Sequence, residues 1–446
     1  MKAYLDILKL VWPLALGMVN NAVMQFTDRA FLARESMASL EAVMPASMLV
    51  LIALGFFQSV VAYSGTFVAQ YHGAGDSKSA ARCFFAGLWI AFASGFAMVA
   101  LVPLGGWIFS LVGHAPEVIV REKAYYDICA YGGIFLFGQM AGQAYFTGIG
   151  RTRLVLAVNV IGNLVNVVLD PLLIFGLGGL PKMGISGAAL ATVLATLVQW
   201  LIFFFVALAH FRSVGMRRGD CGLGDTLSLI GRILRYGIPS GGYAVLNLLS
   251  FTVFIFITGR VGDVAFAVSN ACFSVNYLLF APMEGFALGA ATLVAQAQGR
   301  GDSARAMRDG NRTLVLALLT VAALSLSVVV FHRPVLSIFA PGDAAVAAQF
   351  HSLGFTLFVL MASWQMFDAA DVVLSGALKG AGDTKFVFWW MNFVAFGVWM
   401  PLVLAVAKWH NTMAALWGTM VVYVVVICVG SAIRWWRGCW KSIRMV

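Results

Sequence analysis

Long apolar stretches follow one another along the whole chain, and short polar connections separate them. Each stretch is long enough for a helix to cross the roughly 30 Å apolar core of a bilayer, which takes about 20 residues. We count twelve stretches, near residues 8–32, 43–71, 84–112, 125–148, 154–177, 185–210, 232–259, 265–297, 313–332, 348–378, 386–407 and 413–433. The pattern predicts an all-α integral membrane protein with twelve transmembrane helices.

Composition supports this class and excludes two others. Of the 446 residues, 61% are hydrophobic and 11% are charged. A soluble protein has about 25% charged residues, and a disordered chain combines low hydrophobicity with high charge. The first stretch is kept as a span because Asn20, Asn21, Gln25 and Asp28 lie within it, which is not typical of a cleavable signal peptide.

The basic residues predict the orientation of the chain. With the N-terminus in the cytoplasm, 21 of the 29 Lys and Arg residues fall in cytoplasmic segments and 8 fall on the outer side. Because basic loops are retained in the cytoplasm, we expect both termini there, with the chain in the inner cell membrane. The same bias explains the net charge of +10 without a nucleic-acid partner.

An internal repeat relates the two halves of the chain. The segments FVAQYHGAGDSKSAAR (Phe67–Arg82) and LVAQAQGRGDSARAMR (Leu293–Arg308) share nine of sixteen positions at an offset of 226, and Pro13 and Pro239 share that offset. Their Gly-x-Gly sequences, like two others on the same side, predict tight turns with helix caps.

The repeat predicts the domain organisation. We expect a six-helix lobe at 1–211, a cytoplasmic connection at 212–231 and a second six-helix lobe at 232–446. An even number of spans gives both lobes the same orientation, so a pseudo-two-fold axis along the membrane normal relates them, as in carriers built from parallel repeats.

Ionisable residues within membrane helices are costly and are functional candidates by default. Asp170 is the clearest, because Asn159, Asn163, Asn166 and Asp170 are spaced by 4, 3 and 4 and so share a helix face. Pro171 follows and frees a backbone carbonyl near the carboxylate. The alternative is a polar stripe that only joins helices.

Asp28 ends a shorter stripe with Asn21 and Gln25 in the first span. Arg29 and Arg34 follow, so spacing alone also allows an interfacial position for Asp28.

The second half carries acids of its own. Gln365, Asp368, Asp371 and Ser375 share a face of the tenth span, where two acids one turn apart cannot easily both stay ionised. The alternative is the wall of a hydrated cavity.

A further acid, Glu284, ends a stripe that starts at Asn270 and lies beside Pro282. The acids of one half have no acidic counterparts at the repeat-related positions of the other half. This is expected if the two lobes bind different ligands.

These features together resemble the multidrug and toxic compound extrusion (MATE) family over essentially the whole chain. The motifs that carry the resemblance are the first span from Pro13 to FTDRAFLAR (Phe26–Arg34), the VAQ and Gly-x-Gly ends of the second and eighth spans, NLVNVVLDPLLIFG (Asn163–Gly176), GISGAALAT (Gly184–Thr192) and WQMFDAADVVLSGALKGAGDT (Trp364–Thr384).

The resemblance implies export of amphipathic, often cationic, small molecules by antiport with H⁺ or Na⁺ and alternating access between two lobes. In the family, first-span and fifth-span acids form a cation site with nearby asparagines. The matching positions are Asp28, Asp170, Asn163 and Asn166.

Another branch of the family uses acids of the second lobe, and its tenth-span acid matches Asp368. Its seventh-span glutamate falls on Asn247 here, which leaves the coupling ion open, with the proton preferred over Na⁺. Asp368, Asp371, Glu284, Asn247 and Gln365 are therefore the candidates for substrate charge or a second ion.

Other functions stay as alternatives. A lipid-linked oligosaccharide flippase of the same superfamily would share the repeat but needs a basic cavity, and an ion channel does not need two asymmetric halves. No nucleophile–base constellation indicates an enzyme, and we expect no cofactor, no metal site and a monomer. The six cysteines show no paired spacing and are expected to be apolar fillers: Cys83, Cys129, Cys221, Cys272, Cys428 and Cys439.

Overall fold

The computed structural model describes residues 2–35, 37–112, 116–216, 223–341, 343–410 and 412–446, so Cys221 and part of the predicted central connection lie outside it. The described residues form helices and turns without a strand. This confirms the predicted all-α class.

The described part of the chain forms sixteen α-helices, several of which join end to end. In the first half they are α1 (Lys2–Glu35), α2 (Met37–Ala62), α3 (Ser64–Gly73), α4 (Ser77–Ala100), α5 (Val102–Val112), α6 (Pro116–Gly148), α7 (Thr152–Phe175) and α8 (Ile185–Ser213). In the second half they are α9 (Leu223–Thr258), α10 (Asp263–Gly299), α11 (Ser303–Val330), α12 (His332–Ser337), α13 (Ala344–Gly380), α14 (Thr384–Asn392), α15 (Met400–Trp409) and α16 (Met413–Arg437).

Eleven stretches of the described residues are long and apolar enough to cross a membrane. One stretch runs from α2 into α3, another from α4 into α5, and a third joins α14 to α15 through the π-helical turn Phe393–Trp399. The one predicted span not among these eleven is the stretch near 125–148, which lies in α6. Gly, Gln, Tyr and charged residues are interspersed among the apolar residues of this helix. Its hydropathy therefore does not identify it as a span, although its length of 33 residues is sufficient.

Large apolar side chains are exposed on the outside of these helices. Phe96, Phe256 and Trp389 are 70%, 72% and 70% exposed. Such surface is unfavourable in water but suits contact with lipid chains, which are as apolar as the side chains themselves.

The described residues group into two compact units. The N-terminal unit comprises Leu16–Val245, Ala295–Gly301 and Met445–Val446, and the C-terminal unit comprises Met1–Ala15, Leu246–Val294 and Asp302–Arg444. The lobe boundaries inferred from the repeat stay a prediction.

Within the N-terminal unit, α6 packs against α2, α4 and α8, and α7 packs against α8. Glycines bring these helices close together. A methyl group on Gly95 would overlap Ile134, and one on Gly142 would overlap Phe203. Packing through small residues is typical of helices in membranes, where no hydrophobic force drives helices together.

Within the C-terminal unit, α13 packs against α11 and α16. Buried tryptophans fill this core, and the indole N–H groups of two of them have partners. Trp417 donates to the Ser269 hydroxyl at 2.9 Å, and Trp399 donates to the Thr419 hydroxyl at 3.1 Å. The core is thus apolar without leaving these buried donors unsatisfied.

The four glycine-rich connections are tight turns, as predicted. They contain the positive-φ glycines Gly75, Gly150, Gly301 and Gly382, in a conformation that favours glycine. In the two repeat-related turns an aspartate caps the next helix. Asp76 accepts from the Ser79 N–H at 2.9 Å, and Asp302 accepts from the Arg305 N–H at 2.7 Å.

Candidate cation site

Four polar side chains of α7 are buried on one face of the helix, as their spacing predicts. Asn159, Asn163, Asn166 and Asp170 are 4%, 7%, 0% and 0% exposed. Polar groups buried in a membrane helix need partners, and the neighbouring helices α1 and α8 of the same unit supply only some of them.

The amide groups of two asparagines donate to these neighbours. Asn163 donates to the backbone carbonyl of Asn20 on α1 at 3.0 Å. Asn166 donates to the hydroxyl of Thr192 on α8 at 3.4 Å, and that hydroxyl donates to the Ala188 carbonyl at 3.1 Å. The side-chain oxygen of Asn166 is buried and has no hydrogen-bond partner among the described residues.

Asp170 has the least satisfied side chain of the group. No N–H or hydroxyl group of the described residues donates to its two buried carboxyl oxygens. Asp28 of α1 is near enough for the two carboxyl groups to interact. The next residue, Pro171, has no N–H to donate to the carbonyl of Val167 one turn back. The site therefore gathers acceptor oxygens in excess of donors.

An excess of buried acceptors has a chemical consequence. Unsatisfied buried oxygens are costly, and two carboxylates that face each other cannot both stay ionised without a compensating charge. A proton shared by the pair, or a small cation held by their oxygens and that of Asn166, would remove both costs. The arrangement can therefore bind a monovalent cation or a proton.

The structure adds three residues to this site that the sequence reasoning did not single out. Asn20 supplies the carbonyl for Asn163, Thr192 holds the amide of Asn166, and Tyr125 of α6 lies near Asp28 and beside Ser47 of α2. Thr192 was visible as the polar end of the GISGAALAT segment. Tyr125 gave no signal, because its closeness to Asp28 depends on how α6 packs and not on spacing along one helix.

The acids of α13 form a second group, within the C-terminal unit. Gln365 and Asp371 are buried, Asp368 interacts with Asp371, and Gln365 donates to the side-chain oxygen of Asn276 at 2.7 Å. The predicted shared face is thus present.

Lys379 changes the character of this second group. It lies close enough to interact with both Asp371 and Glu284, although its position near the end of the span suggested only a role in topology. The C-terminal group therefore contains a basic side chain.

The remaining candidates lie in different surroundings. Asn247 donates to the Tyr423 hydroxyl at 3.4 Å, and Tyr423 in turn lies near Asp368 and Asp371, so Asn247 belongs to the α13 group. Glu284 is exposed on its unit, as are Asn270, Ser274 and Tyr277 of the same predicted stripe.

A bundle of membrane-spanning helices with a buried acidic site, built from two repeats, defines a carrier of the parallel-repeat class. The sequence model of the MatE family matches residues 13–172 and again 239–404, two segments whose starts differ by the repeat offset of 226. The chain belongs to the MATE family of transporters.

Relatives of similar length agree with this assignment. The chain is 26% identical over 407 residues to a probable multidrug resistance protein NorM of Bradyrhizobium diazoefficiens, which covers 89% of this chain and 84% of the relative. It is 25% identical over 425 residues to a probable NorM of Pseudomonas aeruginosa, with coverage of 92% and 85%.

Solved structures share the fold. The structure of a multidrug resistance MATE family transporter in an outward-facing conformation superposes with a TM-score of 0.85 over 99% of this chain and 97% of that one, at 20% identity. A eukaryotic MATE transporter gives a TM-score of 0.83 over 98% and 97%, at 18% identity. This confirms the predicted fold class.

Proposed function

We propose that the chain is a secondary active exporter of amphipathic cations, which it exchanges for H⁺ or Na⁺ bound at Asp28 and Asp170. The observation that carries the proposal is the pair of buried Asp170 oxygens without donors, placed beside a second carboxyl group. The multidrug resistance relatives support small-molecule drugs as the exported class.

The coupling follows from the cost of burying charge. When the site is open to the outside, the pair takes up a cation or proton and its net charge falls. A neutralised pair can be enclosed between helices at a lower desolvation cost than an ionised one. Binding of the ion thus favours one of the two conformations by a few kcal/mol, and substrate binding favours the other.

Asn163 and Asn166 have separate roles in this scheme. The first joins α7 to α1 through the Asn20 carbonyl, so that the helices carrying the two acids keep their register. The second presents an amide oxygen near Asp170 while its nitrogen is held by Thr192. Loss of either amide should weaken ion binding without removing charge from the site.

The test is transport by Asp170→Asn in proteoliposomes. This variant keeps the shape of the side chain and removes its charge, so we expect ion-driven accumulation of a fluorescent cation such as ethidium to be lost. Asp127→Asn is the matched control, because Asp127 is an acid of α6 ion-paired with Lys123 at 2.7 Å and should leave transport unchanged.

Two further measurements complete the test. A pH gradient without Na⁺, and a Na⁺ gradient at equal pH, identify the coupling ion, with the proton as the first expectation. Counterflow of labelled substrate distinguishes a carrier from a channel. Normal uphill export by a folded Asp170→Asn protein would contradict the proposal, and loss in Asp371→Asn alone would move the coupling site to the C-terminal unit.

A further inference from the structure

A polar cavity lies within the N-terminal unit, at the end where the sequence places the cytoplasm. Its volume is about 170 Å³, and it lies between the turn that connects α3 to α4 and the first turns of α9. Five of its lining side chains can donate hydrogen bonds: Tyr71, Ser79, Arg82, Ser228 and Arg232. The other two lining residues are Asp225, an acceptor, and the apolar Leu229.

Arg232 is fixed at one wall with a donor left over. Its guanidinium donates to the Tyr71 hydroxyl at 2.8 Å and to the Met445 carbonyl at 3.3 Å, and it lies over the Phe67 ring at 6.0 Å. Of its other N–H groups, the one on Nε is buried and has no hydrogen-bond partner among the described residues. Arginine presents its donors in a rigid fork that matches the oxygens of phosphate.

The other charges of the cavity leave a positive balance. Arg82 and Asp225 approach to 3.8 Å, with side chains 30% and 67% exposed. An ion pair this long, with one exposed partner, contributes little, and the single acid leaves the two arginines of the lining with a net positive charge. Two arginines, two serine hydroxyls and a tyrosine hydroxyl line the space beside this acid.

The nearby helix end does not supply this site. Asp76 already accepts from the N–H of Ser79 at the start of α4. Recognition therefore has to come from the side chains, above all the two arginines.

We propose that this cavity binds a phosphate-class anion, either the headgroup phosphate of an anionic phospholipid in the cytoplasmic leaflet or free phosphate. Basic pockets between helices on the cytoplasmic side of membrane proteins bind anionic headgroups, and charge-assisted bonds from arginine are the strong ones. A phosphate oxygen on the free N–H of Arg232 would also hold the side chain that binds Tyr71 and Met445. The proposal is independent of the transport scheme above.

The experiment measures binding of the two phosphate sources to the purified full-length protein. Native mass spectrometry counts retained phosphatidylglycerol against phosphatidylcholine, and thermal unfolding is followed during titration with inorganic phosphate. Arg82→Gln and Ser228→Ala alter the cavity. Arg235→Gln is the control. Arg235 is exposed one turn beyond Arg232 on α9, so this substitution removes the same charge outside the cavity.

We expect one tightly retained phosphatidylglycerol whose affinity falls roughly tenfold or more in Arg82→Gln, in line with the loss of one charge-assisted hydrogen bond. Ser228→Ala should weaken it less, and Arg235→Gln should not change it. Stabilisation by inorganic phosphate that the same variants remove would identify a free anion as a second source.

Equal weakening in Arg82→Gln and Arg235→Gln, or no preference for the anionic lipid together with no response to phosphate, would overturn the proposal. If Arg82→Gln does not fold, the comparison of Ser228→Ala with wild type decides.

Discussion

The hydroxyl of Thr192 accepts from the nitrogen of the Asn166 amide, and the amide oxygen stays available for the proposed cation. Thr192→Val keeps the shape of the side chain but removes the acceptor for Asn166. With a hydrogen bond worth about 1 kcal/mol lost, the half-saturating concentration of the coupling ion should rise roughly fivefold while the maximal rate changes little.

Thr196→Val is the control for this change. Thr196 lies one turn further along α8 and donates only to the Val193 carbonyl of its own helix at 2.8 Å. An unchanged ion dependence in Thr192→Val, or an equal shift in both variants, would mean that the Asn166 amide does not take part in ion binding.

Spacing along one helix predicted which residues of α7 share a face, and that was confirmed for Asn159 to Asp170. It could not predict that Asp28 lies beside Asp170, because that contact depends on how α1 packs against α7. The MATE resemblance supplied this pairing. Lys379 shows the same limit, since its closeness to Asp371 and Glu284 depends on contacts between helices.

At the scale of helices, the repeat-related ends of α3 and α10 cross at glycine, within the N-terminal unit. A methyl group on Gly73 would overlap the Gln296 carbonyl, and one on Gly299 would overlap the Gln70 carbonyl. Both pairs are related by the repeat offset of 226. The two contacts are therefore equivalent halves of one crossing.

Substitution of either glycine should separate these helix ends. We expect Gly73→Ala and Gly299→Ala each to cost about 1–3 kcal/mol, the usual effect of overpacking, seen as a lower unfolding temperature in detergent. Gly231→Ala is the control, because a methyl group there meets nothing within 4 Å. The double variant should cost less than the sum of the single variants, since both act on one contact. Additive costs would show two independent sites.

The cap of α4 gives a pH prediction. Partial burial by itself raises the pKa of Asp76, but hydrogen bonds from Ser79 and the charge of Arg82 outweigh it and lower the pKa below its ordinary value of 3.8. The ionised Asp76 carboxylate therefore stabilises the folded protein at pH values above 3.8. This stabilisation is lost as the pH falls through the lowered pKa of the folded state.

Asp76→Ala should therefore lower the unfolding temperature at pH 7, and its difference from wild type should shrink as the pH falls below about 3.8. Asp6→Ala is the comparison, since Asp6 is exposed on α1 beside Lys9 and should have little effect at either pH. A difference for Asp76→Ala that is constant across this range would show that the carboxylate charge is not responsible.

The π-helical turn between α14 and α15 was not predicted. It occupies Phe393–Trp399, just before Pro401. Because proline has no N–H, it cannot bond the carbonyl of Gly397 one turn back, and the backbone adopts a wider turn there. The proline was visible in the sequence, but the choice between a kink, a break and a π-helix depends on the packing of the surrounding helices.

At the scale of the whole molecule, the repeat was the feature most fully readable from sequence, because a duplicated scaffold preserves turns, caps and prolines at one offset. The start points of the two family matches repeat that offset. The acids do not follow it. Asp28 and Asp170 lie together in the N-terminal unit, whereas the C-terminal unit places Asp368 and Asp371 near a lysine. A symmetric scaffold thus carries two chemically different groups.

The orientation in the membrane is a property of the whole chain, and a native cysteine can report it. Among the described cysteines, Cys439 is exposed and Cys83, Cys129, Cys272 and Cys428 are buried. Of the 29 basic residues, 21 fall on the side assigned to the cytoplasm. The reverse topology would require most of them to cross the membrane and is therefore disfavoured. In a Cys221→Ser background, an impermeant maleimide should therefore label Cys439 only after the cells are permeabilised.

Lys123→Cys provides the opposite control, because Lys123 is 51% exposed near the start of α6, on the predicted outer side. In a background that also carries Cys439→Ser, it should be labelled in intact cells. Labelling of Cys439 in intact cells would show that the topology is the reverse of the predicted one. The side to which the coupling site opens for ion uptake would then be reversed as well. The phosphate cavity would then face the outer leaflet, so this measurement also decides which lipid pool the cavity could meet.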